Sequence, residues 1–230
     1  MLNKLFILSF CLLMATPSFA EDITLDADDR VEYHQKEQKL VAKGNAKAAK
    51  KDLSIKADTL IGYYAPKSKN KISRIEAHKK VEMITPEISA FGDKMIYDIK
   101  DDTAVLTGSP AKIKSPEFTI TSNGPITYYQ SQQKAVAKDS VEAVDKQNNH
   151  VLADLMTAWF TKDNKGELVL DKIEIEQNVK IISKDTTVTA KRGTYNALSG
   201  IINLYDDVVI NQQGNILRGS RAETNLKTSI

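Results

Sequence analysis

The side chains of this sequence best suited to proton transfer or metal ligation are three histidines and a few clustered carboxylates. His34, His78 and His150 stand in polar, turn-like or strand-end stretches, without a nearby cysteine or regularly spaced carboxylates. A metal needs three or four convergent ligands and a general base needs a partner within hydrogen-bond reach, so these read as surface histidines. Asp26-Ala27-Asp28-Asp29 has the charge density of a calcium loop but lacks the glycine and distal glutamate of an EF-hand, and it reads as a solvated strand end. Asp154 near Trp159, with Glu167 downstream, is the nearest approach to paired carboxylates beside an aromatic. No nucleophile elbow, phosphate loop or dinucleotide glycine pattern occurs. No catalytic residue, metal or cofactor is expected.

The one cysteine, Cys11, lies inside an N-terminal apolar run, Leu5 to Met14, preceded by Lys4 and followed by the small residues Ser18 and Ala20. Residues 1–20 read as a secretory signal peptide, too short to span a hydrocarbon core of about 30 Å. The remainder, residues 21–230, is expected to be exported, with neither disulfide nor thiol chemistry. No cysteine marks the cleavage point, which disfavours a lipoprotein anchor. The formal charge is +2, or +1 once Lys4 is removed, and so near neutrality excludes a nucleic-acid binder. Six scattered prolines mark no linker, so a single domain over 21–230 is expected.

Period-two alternation dominates the rest, as in Leu53-Ser54-Ile55-Lys56-Ala57, Phe118-Thr119-Ile120 and Ile173-Glu174-Ile175, which is how half-buried antiparallel strands read. The best helical candidate, Ala153 to Phe160, is short and sits where other units carry a strand. Two interleaved repeats underlie the alternation. One is a turn followed by a small or branched apolar residue, at Ala46, Val81, Ala111, Val141, Val179 and Val208, spaced 35, 30, 30, 38 and 29 residues apart. The other is an Ala-Asp or Gly-Asp-like step with an aromatic a few residues on: Ala27-Asp28 with Tyr33, Ala57-Asp58 with Tyr63 and Tyr64, Gly92-Asp93 with Tyr97, Asn123-Gly124 with Tyr128 and Tyr129, Ala153-Asp154 with Trp159, and Gly193 with Tyr195. Stacked units of this kind form either a parallel β-helix or a folded-over antiparallel jelly roll, and the short hairpin-like turns favour the second.

Ile23 to Tyr33, Leu40-Val41-Ala42-Lys43-Gly44-Asn45-Ala46, Ile55-Lys56-Ala57-Asp58-Thr59-Leu60 and the closing Gly219 to Thr228 resemble the OstA-like domain and, more narrowly, the LptA family of lipopolysaccharide-transport bridge proteins. The resemblance runs over essentially all of residues 21–230. It implies an all-β, twisted antiparallel jelly roll open at both ends, whose apolar groove takes lipid A acyl chains in the periplasm. It implies as partners lipopolysaccharide, an inner-membrane export complex, an outer-membrane translocon and further copies stacked head to tail. The assembly edges would be Ile23, Leu25 and Ala27 at one end and Arg221, Ala222, Glu223 and Leu226 at the other, with Arg221 and Glu223 setting register by charge.

In such a fold the apolar strand residues line a ligand cavity rather than a closed core. The lining candidates are Ile55, Leu60, Ile75, Val81, Met83, Ile88, Met95, Leu106, Ile113, Phe118, Ile120, Val141, Phe160, Ile175, Val179, Ile181 and Val188, with flexible Met83 and Met95 suited to mobile chains. The lysines of the first third, among them Lys36, Lys39, Lys43, Lys47, Lys50, Lys79 and Lys80, read as guards against edge-to-edge aggregation, or else as partners of lipid phosphate at the groove mouth. Two rival readings are a β-helical polysaccharide-active enzyme and a purely structural adhesin repeat; the Ser/Thr- or Gly-rich arrays of the latter are absent.

Overall fold

The computed structural model describes residues 24–50, 53–65, 68–164, 166 and 168–225. The signal-peptide reading, Ile23, Leu226 and Glu167 lie outside them. The described chain is all β: β1 (Thr24–Asp26), β2 (Arg30–His34), β3 (Lys39–Lys50), β4 (Leu53–Ala65), β5 (Ser68–Ile84), β6 (Ser89–Asp98), β7 (Thr103–Thr107), β8 (Ala111–Lys114), β9 (Phe118–Ser122), β10 (Ile126–Tyr129), β11 (Lys134–Asp145), β12 (His150–Lys162), β13 (Leu168–Ser183), β14 (Thr186–Asn196), β15 (Ile201–Gln212) and β16 (Asn215–Asn225). All sixteen belong to one antiparallel sheet. The segment Ala153 to Phe160 lies within β12. Its central position between two long strands overrides a modest helical preference.

The long strands are bent in the middle, and three pairs, β1 with β2, β7 with β8 and β9 with β10, are single passes broken at the bend. The sheet is therefore an up-and-down meander of thirteen bent passes folded along one line into two facing arms. The first arm holds β1, β8 and β9; the second holds β2, β7 and β10. Side chains from both arms meet in one main core, and Tyr128, Phe160 and Leu170 form a smaller cluster beside it.

The bends are where the first sequence repeat falls. At Gly44-Asn45, Lys79-Lys80, Asp139-Ser140, Gln177-Asn178 and Asp206-Asp207 two successive residues take positive φ. On the next strand one residue, Asp58, Asp93, Asp154, Lys191 or Ser220, stands opposite each pair. Two residues against one is a β-bulge, which bends the strand and raises its twist. A left-handed conformation costs a non-glycine residue about 1–2 kcal/mol, and side chains offset part of it. The Asn45 amide donates to Asp28 at 2.8 Å, Lys80 pairs with Asp58 at 3.4 Å, and the Asn178 amide donates to Asp154 at 2.5 Å. In each case the carboxylate belongs to the Ala-Asp step one pass earlier, so the two repeats are the two sides of one corner. Asp28 and Asp29 are thus corner residues. At Gly44 only glycine fits, because with φ +81° a Cβ would lie 2.5 Å from Asp29 Cγ.

The apolar residue after each bulge forms the fold's inner seam. Ala46, Val81, Ala111, Val141, Val179 and Val208 are all nearly inaccessible. They face Ala57, Gly92, Ser122, Ala153, Ala190 and Gly219 across the ladder. Small partners let the two arms converge: a Cβ on Gly92 would meet the Thr107 carbonyl oxygen at 2.5 Å. Turns at the arm tips close with local side-chain bonds. The Asp98 carboxylate accepts from the Lys100 and Asp101 amides at 3.0 and 3.1 Å. Thr85 and Ser115, each before a proline, accept the Ile88 and Phe118 amides at 3.1 and 3.2 Å.

Candidate functional site

Hydrogen-bonded register brings inward-facing residues of successive passes side by side. On the first arm the row runs Leu25, Ala48, Ile55, Met83, Ala90, Ile113, Ile120, Ala143, Val151, Ile181, Val188, Ile210, Leu217. On the second arm it runs Val31, Ala42, Leu60, Ala77, Met95, Leu106, Ile126, Ala137, Met156, Ile175, Gly193, Leu204, Ala222. Neither row contains a polar side chain. At about 4.8 Å per strand, twelve spacings make an apolar interior roughly 58 Å long. Midway along it the arms stand apart around a cavity of about 90 Å³. Met83, Ile88, Ala90, Ile113, Phe118 and Ile120 supply one wall; Met95, Ala104, Leu106, Ile126, Tyr128, Ala135, Ala137, Met156, Ala158 and Phe160 supply the other.

Two stretches of the chain, residues 25–134 and 119–230, match the family model described as LptA/(LptD N-terminal domain) LPS transport protein, and together they span the whole described region. The chain belongs to this family. Among solved structures, the chain is similar to LptH of Pseudomonas aeruginosa, described as the LptA homologous periplasmic component of the conserved lipopolysaccharide transport device. It has 16% identity and a TM-score of 0.47, covering 55% of this chain and 96% of that one. No curated protein matches. The chain is therefore a lipopolysaccharide-transport protein and not an enzyme.

The candidate lining residues divide by depth. Met83, Ile88, Met95, Leu106, Ile113, Phe118, Ile120 and Phe160 surround the cavity. Ile55, Leu60, Ile175, Ile181 and Val188 lie further along the same interior. Ile75 is half-buried on the second arm, in register between Gly62 and Tyr97. Val81, Val141 and Val179 differ from expectation: exposed by only 1–2%, they are the seam beneath the groove rather than its wall. Ile126, Met156 and the alanines 90, 104, 135, 137 and 158 were not legible as lining. Alanine at every second position, as in Ala135-Val136-Ala137, was the available signal.

The charged candidates point away from the groove. Lys39, Lys43 and Lys47 alternate with Leu40, Ala42, Ala46 and Ala48, so they stand on the outer faces rather than at the mouth. Each histidine has a glutamate partner: His34 with Glu32 at 3.3 Å, His78 with Glu76 at 2.8 Å and His150 with Glu142 at 2.7 Å. Among the described residues no group of three potential ligands could hold a metal. Asp154 is used in its corner, and Trp159 lies on the outer face with the Lys172 ammonium 4.2 Å from its ring centre. Arg221 donates to Asn203 at 2.6 Å and to Glu223 at 2.9 Å. Both charges are thus engaged within the chain, and Ala222 faces the interior beside Leu204.

Tyr97 shows how dry this interior is. It is 6% exposed, and burial, helped by the Asp102 charge, holds its phenol above the usual tyrosine range. With the folded value raised, the neutral form is favoured, so this stability is complete below the unfolded pKa near 10 and is lost as pH rises through the folded one. Tyr97→Phe is therefore expected to flatten the fall in melting temperature as pH rises above about 10. An unchanged alkaline profile would show that the phenol is not responsible.

Proposed function

We propose that this chain is a periplasmic carrier that shields the acyl chains of lipopolysaccharide between its arms and passes them along a groove shared by both family-matched stretches, which fold as one domain. The observation that carries this is the uninterrupted apolar interior, closed along its seam and open at both sheet edges. Exposing one acyl chain of about a dozen carbons to water costs on the order of 9 kcal/mol at about 0.8 kcal/mol per methylene. A groove of similar affinity along its length removes that barrier without chemistry. The central cavity holds roughly three groups of water size, about 30 Å³ each, so a bound chain displaces the flexible Met83, Met95 and Met156 or parts the arms.

Each end of the sheet supports assembly. Val31 and Tyr33 are exposed at the β2 edge, and Ile216 and Leu217 at the β16 edge. Val31 and Leu217 are the last members of the two interior rows, so a copy or a partner added at either edge would continue the groove. The inner-membrane export complex and the outer-membrane translocon are the expected partners of the two ends.

The test is titration of purified protein with lipid A. Ile120→Asp puts a carboxylate into the first wall, and binding should weaken at least about tenfold, because an unpaired charge in an apolar site costs several kcal/mol. Thr119→Asp, one residue away on the outer face, should bind as the parent does. Equal binding by both variants, with β-rich circular dichroism retained, would overturn the groove as the lipid site.

A further inference from the structure

The second sequence repeat carries an aromatic that the groove alone does not explain. Its place in the fold is regular. Tyr33, Tyr64, Tyr97, Tyr128, Phe160 and Tyr195 come one from every second pass of the sheet, all on the second arm. Tyr33, Tyr97, Tyr128 and Tyr195 share one register row, one step nearer the arm tips than the apolar row described above, and that row is otherwise Leu, Gly, Ile and Ala as far as Ile202. Passes two apart are about 10 Å apart. Around the central cavity the facing wall of the first arm, Met83, Ile88, Ala90, Ile113, Phe118 and Ile120, has no hydroxyl. Small residues stand beside these rings: Gly62, Ala104 and Ala135 neighbour the tyrosine row. Tyr128 is the one residue lining the central cavity that carries a hydrogen-bonding group, among methionine, isoleucine, leucine, alanine and phenylalanine. Its ring meets Phe160 edge to face at 6.4 Å, and Tyr33 meets Tyr64 likewise at 6.0 Å. The Tyr97 hydroxyl donates to Gln130 Oε1 across 3.4 Å, a long bond that leaves its oxygen free to accept from a ligand.

A phenol suits the boundary between an apolar interior and a polar mouth, since it buries a large ring and keeps one polar end. We propose that these tyrosines form a hydrogen-bonding rail along the second arm that receives the polar linkages of acylated ligands (ester, amide or chain hydroxyl) and so fixes how deep each acyl chain enters. The proposal rests on the groove reading above and adds to it an orientation: polar linkages face the second arm and plain hydrocarbon faces the first. Stations two or four passes apart, about 10 or 19 Å, also give a moving ligand successive resting places.

The test compares two probes on the full exported chain: lipid A, which has all three linkages, and diphenylhexatriene, which has none. A neutral hydrogen bond contributes about 0.5–1.5 kcal/mol, so the Tyr97→Phe, Tyr128→Phe double variant should lower the ratio of lipid A to diphenylhexatriene affinity about tenfold. Phe160→Tyr adds a hydroxyl on the pass between Tyr128 and Tyr195 and should raise the same ratio about threefold. An unchanged ratio in both variants overturns the rail, as does an equal loss of both probes, which would assign the rings to packing alone. Failure of the parent to bind lipid A overturns the groove reading itself, and the rail with it.

Discussion

Val141→Asp is expected to prevent folding altogether. Val141 is 1% exposed, directly after the Asp139-Ser140 bulge, where both arms close on it and Ala153 faces it across the ladder. At that depth an introduced carboxylate must be buried or the corner must open. Either outcome costs more than about 4–5 kcal/mol, against a whole-domain stability of about 5–15 kcal/mol. Val144→Asp, three residues along the same strand and on its outer face, should stay within about 0.5 kcal/mol of the parent. Thermal melting followed by far-ultraviolet circular dichroism separates the two. If Val141→Asp melted cooperatively within a few degrees of the parent, the seam would not be the structural axis of the sheet.

The contrast between these valines shows what the sequence could and could not convey. Alternation made the strands legible, because each has one face in a core and one in water. The thirty-residue repeat was legible too, but its meaning was not. Gly44-Asn45 and Asp139-Ser140 have the composition of hairpin turns, and as sequence they read as chain reversals. In the fold they are bulges at mid-strand, and the ladder resumes beyond them. The same residue types serve both purposes because both need positive φ, and only the length of strand regained afterwards tells them apart. Depth was illegible for a related reason. Val81 and Met83 alternate identically, yet one is seam and the other wall, since that depends on distance from the bend rather than on side-chain character. The alanines of the cavity wall escaped notice because their contribution is the space they leave.

The charge on the lysines was legible, but its placement needed register. Lys47 and Lys56 lie side by side on the outer face, where charge keeps that face in water and the apolar face turned inward. The groove itself needs no charge to hold hydrocarbon. Among its described cavity lining, Tyr128 alone carries a polar group, so on the proposed reading the hydrophobic effect would be the main force holding an acyl chain inside.

Leu217→Lys together with Ile216→Lys should abolish end-to-end association while leaving the protein folded. Among the described residues of the parent, β16 pairs only with β15, and β1 and β2 pair only with β3, so each end presents an unsatisfied backbone edge. Leu217 is 66% exposed beside Ile210, and Val31 is 48% exposed beside Ala42, so each edge also displays the cut end of an interior row. Joining β16 of one copy to the β2 edge of the next satisfies both. The two edges differ, so the contact is heterologous and propagates as a filament instead of closing on itself. Two lysines on the edge put charge where an apolar row should continue, and desolvating them should weaken association by at least about a hundredfold. Val31→Lys at the opposite edge should do the same, and mixing it with the double variant should yield dimers through the one intact pair of edges. Sedimentation velocity across a concentration series reads the outcome directly. A parent that remains monomeric throughout, or variants that associate as the parent does, would remove the edges as the means by which the groove is extended.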